Sequence, residues 1–363
     1  MIQLSRMIFI LILCFGAFDS EQLFACTGLM LTAKDKSFVH GRTLEFGIQV
    51  DTAIAIVPRN YEFKATTPNG LGLTYQSKYG IVGTIAFDNP AILDGMNEKA
   101  LSVGTFFFPG FAGYSEATSK NAEMSLSPAD FPNWILSQFK TVEEVKSALK
   151  TINIVPTILK GWGDESPPFH YIVYDASGKS IVIEPIDGQL IAHENPLGVL
   201  TNSPQFDWHM LNLRNYINLS TFNAKPLNLN GLELKSFGMG SGMVGMPGDF
   251  TPPSRFVRAA IFSVTATPAE TSEIAVNQAF HLLNQFDIPV GSIREESGGI
   301  IYRDETLMTC VRDPKNLKYY FKTYDDQTIK VVDLKKFDLN NKTILYGKMS
   351  GNGSALDITS TIK

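Results

Sequence analysis

A cysteine standing directly after an export-type leader constrains this chain more than any other feature. Arg6 gives the first residues one positive charge, and an almost unbroken apolar run follows from Met7 to Phe18. The polar stretch Asp19-Ser20-Glu21-Gln22 then leads to Leu23-Phe24-Ala25 and Cys26. Charged head, apolar core and a small residue before the cut form the layout of a signal peptide. The apolar run, about a dozen residues, is short of the roughly 20 that cross a bilayer as a helix. Residues 1–25 therefore read as a signal peptide, which places the mature protein in the periplasm or outside the cell. Removal after Ala25 leaves Cys26 as residue one, carrying both a thiol and a free α-amine.

That pair is a nucleophile with its own base. A free thiol has a pKa near 8.5 and a free α-amine one of roughly 7.7 to 8.0. The amine can take the thiol proton, and the thiolate is the reactive form. No histidine is required, because a terminal amine serves as the adjacent base. Two other readings of Cys26 stand beside this one. Leu23-Phe24-Ala25-Cys26 is similar to a lipid-attachment box, although Phe24 is bulky for it and four polar residues separate the apolar core from the cysteine. Alternatively, cleavage after Ala17 leaves a short remainder for the protein itself to remove, consistent with Leu23 being large for its position.

Composition sets the frame. The 363-residue chain is long enough for a large core. With 44% hydrophobic and 18% charged residues it reads as a soluble globule. A net charge of -5 with no basic block argues against nucleic acid or an acidic membrane surface as partner. No second apolar span follows the leader, so no membrane contact is expected after processing. Cys14 leaves with the leader. Cys26 and Cys310 are too few for a disulfide framework, and Cys310 reads as a buried strand residue.

Strand patterns dominate, with helices between them. Leu29–Thr32 and Ser37–His40 flank the turn Ala33-Lys34-Asp35-Lys36 and predict a hairpin that begins at Cys26. A nucleophile at the start of a strand is held by sheet pairing while its amine stays accessible. His170–Tyr174 and Ser180–Pro185 predict a second hairpin, and Gly188–Ala192 and Gly198–Thr201 read as extended. Helices are predicted over Phe131–Phe139, Val142–Thr151, Ser254–Thr265 and Thr271–Gln285, the second opened by a capping box at Thr141 to Glu144. Further strands are predicted at Ile300–Tyr302, Leu307–Val311, Leu317–Thr323 and Thr328–Asp333. Blocks of strands, helices and strands imply an α+β layered domain over residues 26–340. Residues 341–363, rich in Gly, Ser and Thr at their end, read as a frayed tail.

Several polar residues fall where loops meet strands: Arg42, Glu45, Asn97, Asn202 and Arg255. Taken singly, each has an ordinary structural explanation, as a solvated ion pair or a turn residue. The five histidines show no metal-ligand spacing, and the Gly-rich stretch 238–248 lacks the Lys-Ser/Thr of a phosphate cradle. No cofactor or metal is indicated. The aromatic run Phe106-Phe107-Phe108 with Phe111 reads first as core, although strand alternation turns some of its rings toward a cleft.

Together these segments resemble the choloylglycine hydrolase family of N-terminal nucleophile hydrolases, which includes bile salt hydrolases and penicillin V acylases. The resemblance rests on Cys26-Thr-Gly28, Gly41-Arg42, Asp94-Gly-Met-Asn-Glu98, Leu200-Thr-Asn202, Phe206-Asp-Trp-His209, Gly245-Met-Pro-Gly-Asp249, Pro253-Ser-Arg-Phe256 and Thr323-Tyr-Asp-Asp326, in family order. It implies a four-layer αββα sandwich, a homotetramer, and hydrolysis of a non-peptide C–N bond in a small N-acyl amide. It assigns Cys26 as nucleophile, Arg42 as the cation beside the thiolate, Asn202 as oxyanion donor and Arg255 as part of the polar cluster. Glu45 stands where the family usually has the aspartate that orients the terminal amine. Phe107 stands where bile salt hydrolases have asparagine and penicillin V acylases tyrosine, leaving only its backbone N–H for the oxyanion. Phe106, Phe108 and Phe111 become candidate pocket residues, and the expected substrate is an aromatic- or fatty-acyl amide rather than a bile salt. A lipid-anchored, non-catalytic protein on the same scaffold is the alternative.

Overall fold

The computed structural model describes residues 25–361 except 48, 49, 51, 87–90, 298, 350, 352 and 354–356. Residues 1–24 of the leader, and with them its removal, lie outside the described residues. The hairpin at Cys26 forms, with Cys26–Thr32 pairing antiparallel to Phe38–Phe46 and Cys26 set opposite Leu44. Lys36 takes a positive φ in the turn, and Asp35 Oδ1 accepts from Ser37 N. The second strand runs past the predicted end at His40 to Phe46 because it is paired on both sides. Its other neighbour is the 14-residue strand Ile300–Asp313, which places Cys310 opposite Arg42 and Thr306 opposite Glu45. That strand joins two segments predicted separately, with a bulge between Thr306 and Met308. Lys318–Thr323 and Lys330–Asp333 continue the sheet, and Ile293–Ser297 pairs with Ile300–Asp313 at its other end.

A second, eight-stranded antiparallel sheet runs in the order Gln189–Glu194, Ser180–Ile186, Phe169–Tyr174, Ser102–Phe107, Ile92–Asn97, Ile81–Ala86, Thr52–Val57 and Leu345–Lys348. Helices Pro252–Thr265 and Ser272–Leu283 cover the first sheet. Helices Phe131–Gln138 and Val142–Ala148 cover the second through Phe131, Ile135, Val142 and Val145. The result is the expected four-layer αββα sandwich. Thr141 caps its helix by accepting from Glu144 N at 3.2 Å, while Glu144 reaches Lys140 N, one residue before the cap. Asn97 belongs to this scaffold, since its Nδ2 donates to the carbonyls of Leu136 and Phe139 where helix Phe131–Gln138 ends. Asp94 sits buried between the sheets, paired with Arg312 at 3.1 Å.

Two expectations change. Gly198–Thr201 forms no strand; it makes one bridge, in which Gly28 N donates to Leu200 O at 2.7 Å and Leu200 N to Gly28 O at 3.2 Å. The domain also extends past residue 340. Leu345–Lys348 pairs with Thr52–Val57 on the sheet edge, flanked by buried Ile344 and Met349, so part of the expected frayed tail is sheet. An edge strand needs only one neighbour, and its outward side chains leave little apolar signal.

Gly28 faces the ring of Phe106. A Cβ there would meet Phe106 Cζ at 2.7 Å. Overpacking of this kind costs about 1–3 kcal/mol, so Gly28→Ala should lower the urea midpoint of unfolding at unchanged slope. An unchanged midpoint would show that the ring yields freely.

Candidate active site

Three polar side chains from three parts of the chain converge on Cys26, each on a different atom. Arg42 Nη2 donates to Cys26 Sγ at 2.7 Å. Cys26 N donates to Asn202 Oδ1 at 2.8 Å. Arg255 Nη1 donates to Cys26 O and, at 2.9 Å, to Thr27 Oγ1. Cys26 itself is 2% exposed.

The fold explains each placement. Arg42 lies on the central strand beside strand Cys26–Thr32 and points between the sheets. Its guanidinium rests 4.4 Å over the Phe106 ring and donates to Thr105 O at 2.6 Å. Asn202 follows the Gly28–Leu200 clip, which sets it alongside Cys26. The orientation of its amide is fixed by its partners: Oδ1 takes two donors, Cys26 N and Arg255 Nη2, while Nδ2 faces Phe107 O at 2.8 Å. One N–H of Nδ2 is thus committed to Phe107 and the other is left for a ligand. Arg255 lies in the first turn of helix Pro252–Thr265, opened by two prolines whose fixed φ suits that position. The Gly-rich stretch leads into this helix, and Arg258 holds its end through Pro247 O and Asp249 O, both at 2.7 Å.

Glu45 lies three residues beyond Arg42 and so faces the opposite side of the strand. It is fully buried, with Oε1 3.5 Å from Thr306 Oγ1 and no hydrogen-bond partner for Oε2. Its backbone N–H donates to Ala25 O at 2.9 Å. With Ala25 attached, Cys26 N goes to Asn202 and not to the Glu45 carboxylate. Asp304, which the sequence reading missed, is a second buried carboxyl in the same field as Arg255. Nothing in its local sequence separates it from an ordinary strand acid.

The aromatic run divides by strand alternation. Phe107 lines a narrow apolar cavity against Cys26, together with Leu44, Phe46, Trp162, Phe169 and Leu307. Phe106 and Phe108 do not line it, which corrects the expectation for both. Phe106 lies under Arg42, and Phe108 stacks on His170 at 4.2 Å. Phe111 is 40% exposed and stacks on Phe108 outside the cavity. The ring the sequence reading missed is Trp162. It contacts Phe46, Phe107 and Phe169 with centroids 5.2 to 5.8 Å away. Its signal was a lone Trp between Gly161 and Gly163, both at positive φ.

Burial raises the Cys26 thiol above its ordinary value, helped by Glu45; Arg42 first, then Arg255 and the Phe107 backbone amide, offset only part of that rise. Burial also raises Glu45 to about 8 against Arg255, and Asp304 to about 7 against the same arginine. Cys26 and Cys310 are both free thiols. Among the described residues, no group of three or more His, Cys, Asp or Glu is placed to hold a metal ion, and no helix is long and apolar enough to cross a membrane.

Arg42→Leu removes the leading stabiliser of the thiolate. The pH midpoint of Cys26 alkylation by iodoacetamide should therefore move up, and a static midpoint would refute the role. A folded-state pKa of about 8 against an ordinary 4.5 means that the folded chain holds a proton the unfolded chain has released. With the Ala25–Cys26 bond intact, Glu45 should reduce stability as pH rises from 4.5 toward 8, by up to about 1.4 kcal/mol per pH unit. Urea unfolding across that range should show a shallower decline for Glu45→Gln.

The sequence matches the choloylglycine hydrolase family of linear amide C–N hydrolases over residues 26–347. It is 35% identical to the bile salt hydrolase/transferase of Clostridium perfringens over 331 residues, covering 89% of this chain and 97% of that protein. It is 27% identical to the penicillin V acylase of Pectobacterium atrosepticum, covering 86% of this chain and 85% of that protein. Crystal structures of the conjugated bile acid hydrolase from Clostridium perfringens, an arginine-to-leucine and a cysteine-to-alanine variant, superpose with TM-scores of 0.82 and 0.81 at 32% identity. They cover 92% of this chain and 100% and 99% of theirs. The two altered positions lie 16 residues apart, as Cys26 and Arg42 do here. The chain belongs to the choloylglycine hydrolase family and is a linear amide C–N hydrolase.

Proposed function

We propose that the chain is exported, that processing frees the amine of Cys26, and that the enzyme hydrolyses small N-acyl amides with an aromatic or fatty acyl group. The convergence of separate groups on the sulfur, nitrogen and carbonyl oxygen of Cys26 carries this reading. Such a residue is tuned as a reacting group, beyond what a buried core cysteine needs. The matching 16-residue spacing of the altered cysteine and arginine in the relative supports it.

In this mechanism the α-amine takes the thiol proton, and Sγ attacks the amide carbon. The charge on oxygen meets the uncommitted N–H of Asn202 Nδ2 and the Phe107 backbone amide. The α-ammonium then protonates the leaving nitrogen, the C–N bond breaks and the amine departs. Water, deprotonated by the same amine, attacks the thioester and releases the acid and the thiol. Arg42 stabilises the thiolate that the first proton transfer forms. In the mature chain, Glu45 and Asp304 supply negative charge near the new ammonium. The acyl group enters the cavity of Phe46, Phe107, Trp162 and Phe169, where only apolar contact is on offer. A homotetramer is part of this reading, with the exposed leucines of hairpin Leu227–Leu229 and Leu232–Leu234 as available surface; light scattering tests it.

Amine release from penicillin V, a long-chain acyl homoserine lactone and glycocholate is the deciding assay. The first two should be turned over faster, and Cys26→Ser should abolish turnover. Preference for glycocholate, toward which the names of the bile salt hydrolase relatives point, would overturn the acyl assignment. Wild-type turnover by Cys26→Ser would overturn the nucleophile. Asn202→Ala should cost roughly 10²–10³ in kcat with little change in KM. Mass spectrometry of the mature N-terminus should find a free cysteine, and a lipid thioether there would favour the anchored alternative.

A further inference from the structure

Two buried histidines flank Asn202. His170, on strand Phe169–Tyr174, is fully buried, with Nε2 3.1 Å from Thr201 O. His209, on helix Phe206–Asn212, is fully buried, with Nε2 2.9 Å from Asn202 O. The peptide units on either side of the Asn202 side chain are thus gripped by rings from two different elements. Glu184 links the two grips. Its Oε1 lies 3.2 Å from His170 Nδ1 and accepts from Phe206 N at 2.9 Å, where the helix carrying His209 begins. Its Oε2 lies 3.3 Å from His193 Nε2.

The partners set the protons. Against the upward push of burial, the hydrogen bonds from His170 and His193 hold the Glu184 carboxyl down to about 2, so it is a carboxylate. Both nitrogens of His170 face oxygens, Glu184 Oε1 and Thr201 O, so the ring is held from both ends. Burial holds His209 down to about 4, so it is neutral, with its proton on Nε2 toward Asn202 O.

We propose that His170 and His209 are positioning residues that fix the backbone on both sides of Asn202, with Glu184 as the anion that locks them together. The step rests on the hydrolase reading above. Asn202 must present Oδ1 to Cys26 N and one amide N–H to the substrate at once. A side chain with that double duty depends on a backbone that does not drift.

The test separates the grip from the loss of a ring. His209→Phe keeps the stack on Phe256, now 4.7 Å between centroids, and loses the donor. His209→Gln keeps a donor. On the best substrate of the panel, His209→Phe should lower kcat about 10- to 100-fold at nearly constant KM, and His209→Gln should recover most of it. A folded His209→Phe enzyme with wild-type kcat overturns the proposal. Nitrogen-15 NMR of histidine-labelled wild type at neutral pH reads the grip without turnover. The expected result is a proton on Nε2 of His209 with Nδ1 bare; a bare Nε2 on His209 overturns the proposal. If no amide is cleaved, the hydrolase reading fails while the NMR result still decides the grip.

Discussion

The contact between Arg42 and the Cys26 sulfur is the constraint around which this sandwich is arranged. A thiol with almost no solvent access resists ionising, because charge is costly away from water. The fold answers with a guanidinium at 2.7 Å. That cation is itself buried, so it needs acceptors and a ring face, which Thr105 O and Phe106 supply from the opposite sheet. The distance between the two sheets at this point is therefore tied to the chemistry of one sulfur. Gly28, which has no side chain to interrupt the contact, lets the ring come close.

Arg255 approaches from the other side of strand Cys26–Thr32 and brings a second positive charge. Two buried carboxyls, Glu45 and Asp304, share its field. The site thus alternates in sign across a single strand, with cation and sulfur on one face and cation and acids on the other. The apolar cavity lies at the end of the strands, where Phe46 and Phe107 turn inward. The charged groups around Cys26 and the apolar lining of the cavity thus occupy different parts of the site.

Much of this was legible in the residues. The Cys26 hairpin, the second hairpin at 170–186 and the four helices follow from pattern and turn chemistry. Arg42, Asn202 and Arg255 were recognised through family resemblance, because a lone arginine on a strand carries no sign of what it faces. Strands such as Ile81–Ala86 and Ser102–Phe107 are buried on both sides and show none of the alternation that marks a half-exposed strand. Phe106, Phe107 and Phe108 illustrate the limit well. Alternation required that they divide between two sides, but only the sheet position of Ser102–Phe107 determined that Phe107 took the cavity. His170 and His209 were read as lacking metal spacing, which was the wrong question for rings that hold carbonyls.

The order in which the site comes together has a consequence for biosynthesis. Cys26 is made early, yet its carbonyl waits for Arg255, 229 residues later, and the strand that carries Arg42 waits for Ile300–Asp313 as its second neighbour. The edge of the larger sheet waits longer still, for Leu345–Lys348. Contacts so distant in sequence close slowly. The polar cluster on Cys26 is therefore complete only after Arg255 and the helix that carries it have been made.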